Sequence, residues 1–257
     1  MSTSKRNDTI AIMCLSNHGD IVLAAAAAQF LKRMGRKVHF YVRDLFLEFA
    51  RRFSVPSECN LPSIEVYSLA LGPWDWRKGI DELKRMGYTD IRNMQIHGVH
   101  DLSNVDLKWD ARMWICSGLS LDDFFSVPHP ICSRDKDSED RVIQKLKMSP
   151  GDIIVNTHGI SAPLVLEKKR LRVIETAREE ARRRNVQLVV LDGFRAPCFL
   201  DMLGAIEICG ELHSIDTGYL WLSWLVNKST VAYTRSDKLG ATPRAHWKSC
   251  VFYEHIS

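Results

Sequence analysis

The chain has 257 residues, 46% of them hydrophobic, and a formal net charge of +4. That apolar share can fill a core in one large domain or two small ones, the charge is far below that of dedicated nucleic-acid binders, and no apolar run reaches the ~18–20 residues that span a bilayer. Seven scattered cysteines without a C-x-x-C pair argue against a disulfide framework or a structural zinc site, and the polar start (residues 1–8) lacks a signal peptide's apolar centre, so a cytoplasmic protein is expected.

Residues 9–15 (TIAIMCL) form a short apolar, β-prone run and predict a buried strand. Asn17-His18-Gly19-Asp20 reads as a turn, and residues 21–34 as the first helix, stopped by Gly35 after Lys32 and Arg33. Residues 37–42 predict the next strand, and Asp44 caps a helix running to about residue 53. A strand at 64–69, a helix at 75–86 stopped by Gly87, and a strand at 91–96 continue the alternation. Residues 106–116 read as a tryptophan-rich helix. The charge run 134–140 (RDKDSED), after Pro128 and Pro130, is the linker candidate, followed by a short amphipathic helix that Ser149-Pro150-Gly151 ends.

The alternation then restarts. Residues 152–156 (DIIVN) predict a strand, and Thr157-His158-Gly159 a loop. Residues 164–184 predict a long helix with Leu171, Ile174, Ala177 and Ala181 on one face and a run of lysines and arginines on the other. A strand at 186–191 ends in Asp192-Gly193, then come a helix at 200–208 and a strand at 212–215. Asp216-Thr217-Gly218 is a tight turn before an apolar helix at 219–226; a last strand at 230–233 precedes an irregular polar segment, 238–249. Alternating strands and helices indicate βαβ units. The expectation is an α/β protein of two Rossmann-like lobes, 1–140 and 141–257, with parallel sheets facing a central cleft.

Two strand–turn–helix corners, at Ser16–Ala24 and Ser214–Ser223, carry the chemistry. Such corners aim backbone N–H groups at an anion from the positive end of a helix. Open α/β sheets bind ligands beyond the carboxyl ends of their strands.

Together these segments resemble the pattern of glycosyltransferase family 9, the heptosyltransferase-like branch of the GT-B fold. The resemblance is carried by Gly19-Asp20-Ile21-Val22-Leu23-Ala24 after the first strand. In the second lobe it is carried by strand 152–156, the long helix, Asp192-Gly193 and Ser214-Ile215-Asp216-Thr217-Gly218. It spans roughly the whole chain, which is compact for this family. It implies an inverting, metal-independent transfer of a sugar from a nucleotide-diphosphate sugar to a hydroxyl of a lipopolysaccharide-type glycan, without a cofactor. The first lobe would take the acceptor and the second the nucleotide sugar. Asp20 is implied as the base. The family's helix lysine corresponds to Lys168 or Lys169. Where the family carries His, three residues beyond Gly218, this chain has Trp221.

The residues allow both functional and purely structural readings. Asp20 can serve as base or simply cap its helix, whose amino end would favour the ionised form. Thr217 and Gly218 can hold a diphosphate, with Asp216 orienting the loop or binding a sugar hydroxyl, or the three can form a capped turn. His158, Gly159 and Ser161 face the same anion, Lys168 or Lys169 would neutralise the leaving group, and Asp192 and Gly193 end a strand where a nucleoside could lie. Asn17, His18 and Gly19, with Trp74 and Trp76 in a loop after Gly72-Pro73, are the acceptor candidates. Two alternatives stay open. One is a bacteriophage-type enzyme that glycosylates hydroxymethylated DNA bases, using the basic helix face. The other is a catalytically silent nucleotide- or sugar-binding protein on the same fold, which Trp221 motivates. Sugar, nucleotide, acceptor and oligomeric state are not legible.

Overall fold

Continuous apolar runs make the centre of each sheet in this protein. The computed structural model describes residues 8–54, 64–95, 107–159, 167–236, 240–252 and 255–256. It divides into two units, Met1–Ser133 and Arg134–Ser257.

The first unit alternates β1 (Thr9–Cys14), α1 (His18–Arg33), β2 (Lys37–Arg43), α2 (Leu47–Arg51), β3 (Glu65–Leu69), α3 (Trp76–Arg85) and β4 (Asp90–Asn93), followed by α4 (Trp109–Cys116) and α5 (Leu121–Ser126). The strands are parallel, in the order β3-β2-β1-β4. All six residues of β1 are buried, as expected for a parallel strand covered on both faces. On α1, Ala24 to Ala28 are buried, and their small side chains let the helix lie close to the sheet. The other face carries Ala11, Met13, Leu15, Tyr41, Leu69 and Tyr88 against Leu83 of α3.

The second unit runs α6 (Lys136–Leu146), β5 (Ile153–Asn156), α7 (Glu167–Arg184), β6 (Leu188–Val190), α8 (Leu203–Ile208), β7 (Glu211–Ile215), α9 (Gly218–Leu225), β8 (Thr230–Thr234) and β9 (Trp247–Phe252). Its parallel strands follow the order β6-β5-β7-β8-β9. Val173, Ile174, Ala177 and Ala181 of α7 pack on Ile153, Val155, Ile215, Val231 and Tyr233.

Several expectations are corrected. The charge run 134–140 is not a linker but the start of α6. The Asp135 carboxylate accepts the Ser138 N–H at 3.0 Å as its cap, and Arg134 pairs with Glu139 at 2.6 Å and Glu207 at 2.7 Å. The division between units therefore falls before this run, at Ser133/Arg134, rather than at 140/141. The turn 17–20 belongs to α1, because Asn17 is its cap and helical geometry starts at His18. Leu171 is 54% exposed, and Val173 takes the place expected for it in the apolar stripe of α7. The segment 238–249, expected to be irregular, contributes the start of edge strand β9. The ends of the expected elements at 96, 106, 164–166 and 238 lie outside the described residues.

Candidate active site

Each sheet reverses its winding once, at β1/β4 in the first unit and at β5/β7 in the second. Ligands of open α/β sheets bind at such switch points, beyond the carboxyl ends of the strands.

In the first unit, the corner after β1 is organised by Asn17, whose backbone is extended. Its N–H donates to Asp20 Oδ2 at 3.3 Å, forming a capping box with the return bond from the helix. The half-buried Asp20 carboxyl is pushed above its ordinary range by burial. The Ser16 hydroxyl and the Asn17 N–H oppose that shift, and Asp110 adds to it. This corrects the expectation that the helix end would favour the ionised form: desolvation outweighs it, and the result is a stronger base. Arg43, the last residue of β2, donates to the Ser16 carbonyl at 3.3 Å and lies over the Phe46 ring at 4.7 Å. His18 packs edge-on against Phe46 and Phe49, both at 4.7 Å. Burial first, then Arg43, pushes its imidazole down to about 4, so it is neutral at pH 7. Gly19 is buried in the first turn of α1. Trp74 is 69% exposed, whereas Trp76 opens α3 and packs on the core of the sheet, so it is not the loop residue expected.

In the second unit, the loops after β5 and β7 meet. Buried Asn156 ends β5, and its side-chain N–H2 donates to Thr217 Oγ1 at 3.1 Å and Ser214 Oγ at 3.3 Å. Thr217 caps α9, its hydroxyl accepting the Tyr219 N–H at 3.4 Å, and Gly218 is the first helical residue. Gly159 touches Thr217 so closely that a Cβ there would collide with the Thr217 methyl. Asp216 is buried and faces inward. Its Oδ2 accepts the Thr234 hydroxyl at 3.1 Å and the Ala241 N–H at 3.2 Å, so it shapes the loop.

Beside this corner, Asp192 at the end of β6 gathers four donors. Arg170 reaches it at 2.7 Å, the Thr157 hydroxyl at 2.8 Å and His158 Nδ1 at 3.1 Å, with the Thr157 N–H at 3.3 Å. Burial alone would raise the Asp192 carboxyl, but the bonds from Arg170, Thr157 and His158 hold it below the ordinary value. Gly193 follows at φ +79°, a left-handed turn that suits glycine.

No family model matches the sequence, and no curated protein matches it either. Solved structures do match the fold. A glycosyl transferase family 9 structure from Veillonella parvula superposes with a TM-score of 0.55 at 11% identity, over 98% of this chain and 88% of that one. The Escherichia coli ADP-heptose lps heptosyltransferase II gives 0.56 at 11% identity, over 96% and 93%. The E. coli heptosyltransferase WaaC with ADP gives 0.55 at 12% identity, over 95% and 93%. The fold is that of glycosyltransferase family 9.

Within this family-9 fold, two arginines stand where sequence reasoning did not look. Arg170 of α7 reaches Asp192 in the β6 loop, and Lys168 faces a shallow groove with Leu171, Arg172 and Val190. Arg43 plays the corresponding part beside the β1 corner. Position is the one signal that could have marked them: Arg170 lies on the stripe of Ile174 and Ala177, and Arg43 closes a strand. Trp221 is buried; Arg244 lies over its ring at 5.2 Å and over that of Trp224 at 4.5 Å. The indole thus packs the connection between β8 and β9. Ser161 lies outside the described residues.

Proposed function

We propose that the protein is an inverting glycosyltransferase that uses a nucleotide-diphosphate sugar. The observation that carries this reading is the close meeting of Gly159 with Thr217 and the amino end of α9 at the β5/β7 switch point. Backbone N–H groups there form a concave, positive seat for a diphosphate. The E. coli neighbour crystallised with ADP supports a nucleoside diphosphate as the occupant. Asp192, held by Arg170 and Thr157, offers carboxylate oxygens to a ribose at the edge of that seat.

In the proposed reaction, Asp20 accepts the proton of an acceptor hydroxyl. The oxygen attacks the anomeric carbon on the face opposite the leaving group, which inverts that centre. The bond from carbon to diphosphate oxygen breaks, and the nucleoside diphosphate leaves with the electron pair. The amino end of α9 would meet the charge that develops, so transfer should need no added divalent metal. The glycan of the lipopolysaccharide type remains the favoured acceptor over DNA, because Arg178 and Arg183 of α7 are paired to Glu175 and Glu180 of the same helix.

The test is thermal unfolding in the presence of nucleoside diphosphates, followed by transfer from the matching nucleotide sugars with and without EDTA. A ligand that binds only the folded state raises its stability. A stabilising nucleotide whose sugar is transferred in EDTA supports the reading. Stabilisation without any turnover would favour a silent binding protein.

A further inference from the structure

The loop after β5 holds an imidazole that is anchored at one nitrogen and open at its other edge. His158 Nδ1 lies 3.1 Å from Asp192 Oδ1. Burial works to raise the Asp192 carboxyl, but the bonds from Arg170, Thr157 and His158 hold it below its ordinary range, so it is ionised at neutral pH. A carboxylate only accepts, so the proton of a neutral imidazole sits here on Nδ1. The Asp192 side chain is 12% exposed and that of His158 is 62% exposed. The ring is therefore fixed from below and presents Nε2 at the surface.

The backbone of the same residue is tied to the diphosphate seat. Asn156 Nδ2 donates to the His158 carbonyl at 3.1 Å and to Thr217 Oγ1 at 3.1 Å, and the next residue, Gly159, packs on the Thr217 methyl. His158 thus bridges the cap of α9 and Asp192. The charged groups around it are Asp192 at the end of β6, with Arg170 and Glu167 of α7 behind it. Arg170 is shared between two carboxylates, at 2.7 Å from Asp192 and 2.6 Å from Glu167. Asp216, ahead of α9, turns to Thr234 and Ala241. This set carries more negative than positive charge, so it offers a bound anion no surplus cation. A neutral His158 would turn a lone pair toward a phosphate oxygen, which is also an acceptor. An imidazolium donates instead, in a charge-assisted bond, and the Asp192 carboxylate stabilises its charge.

We propose that His158 takes up a proton when a diphosphate fills the seat, which makes nucleotide binding proton-linked, with Asp192 as the positioning residue that occupies Nδ1 and aims Nε2 at the ligand. The proton comes from solvent and returns to it when the nucleoside diphosphate departs. A bound anion favours the imidazolium, so affinity is greatest at low pH. It declines as the imidazolium gives up its proton, by at most about tenfold per pH unit for a single proton. Product release is favoured on the alkaline side. This rests on the nucleotide-sugar reading and names a regulation of that same seat.

Isothermal titration of the whole protein with ADP, in buffers of different ionisation enthalpy, counts the protons taken up on binding; UDP and GDP are titrated in parallel. The comparison is with His158→Gln, which cannot charge, and His158→Arg, which is always charged. Melting curves check that both variants fold, as expected for an exposed ring. The terminal phosphate of the nucleotide titrates alike in all three forms, so the difference between them isolates the side chain. The unmodified protein should take up as much as about one proton more than His158→Gln. It should bind about tenfold more tightly at about pH 6, and the two should converge toward about pH 9, where an ordinary imidazole is neutral. His158→Arg should match the unmodified affinity at the acid end and show no extra proton uptake. Equal uptake in the unmodified protein and His158→Gln overturns the proposal and leaves the nucleotide reading standing. So does a His158→Arg form that binds no better than His158→Gln, which would mark the ring as a spacer. Absence of binding by all three nucleotides removes the nucleotide-sugar reading and the proposal with it.

Discussion

The two roles open to Asp20, proposed base and helix cap, pull against each other, and its burial separates them. A carboxyl held above its ordinary range costs the folded state stability when ionised, so replacing it relieves that cost. Asp20→Asn is therefore expected to keep or raise the melting temperature while lowering kcat by about 10²–10⁴-fold, the usual worth of a general base. A cap with no further role would lose stability and leave turnover alone. The acid limb of kcat/KM should lie above the ordinary 3.8, because activity falls as Asp20 takes up a proton through its raised pKa. A pH–rate profile checks this. Gly159→Ala drives a methyl group into Thr217, at a cost of about 1–3 kcal/mol for an overpacked site. Calorimetric titration should show weakened nucleoside diphosphate binding, with Asp20 chemistry untouched. Asp20 and Asp216-Thr217-Gly218 were legible because they stand where strands end and helices begin. Arg170 was obscured by Lys168 and Lys169, since the choice among three consecutive cations depends on the phase of α7. That phase is set by Val173 and Ile174 rather than by Leu171.

At the scale of elements, the central strands and their covering helices follow directly from apolar runs and stop residues. The misreadings come from segments whose structure depends on tertiary partners. Strand β9 places Lys248 and Ser249 outward at the sheet edge, so its pattern reads as polar loop. Helix α6 turns a charge run into a capped first turn, because Arg134 finds Glu139 and Glu207. A related ion cluster ties α7 to β7. Buried Glu211 meets Arg184 at 3.0 Å, Lys248 at 2.8 Å and His213 at 3.0 Å. Burial would raise the Glu211 carboxyl, but His213 and Lys248 bring it down to about 2. Since the folded value is depressed, its stabilisation is present above the ordinary 4.5 and disappears as pH falls toward about 2. Melting curves across that window should fall more steeply for the natural protein than for Glu211→Gln, and parallel curves would discount the cluster.

For the molecule as a whole, the excess charge has one address. Helix α7 holds eight basic and four acidic residues, a surplus that equals the +4 of the entire chain. Much of it is spent within the helix or on Asp192, as Arg170, Arg178 and Arg183 show. Transfer to a small glycan should therefore depend only weakly on salt. A logarithmic slope of several units against salt concentration would mark a polyanionic acceptor and revive the DNA reading.

The inward-facing carboxylate of Asp216 has a mechanical consequence. It bonds at once to the end of β8 and to the backbone at Ala241, on the stretch that leads to the last strand. If nucleotide fills the proposed seat at Thr217–Gly218, these bonds are expected to couple its occupancy to the stretch before the last strand. Limited proteolysis between Ala241 and His246 should slow when nucleotide is bound, and that protection should vanish in Asp216→Ala. The rate at which a protease releases the terminal strand then becomes a gauge of how full the seat is.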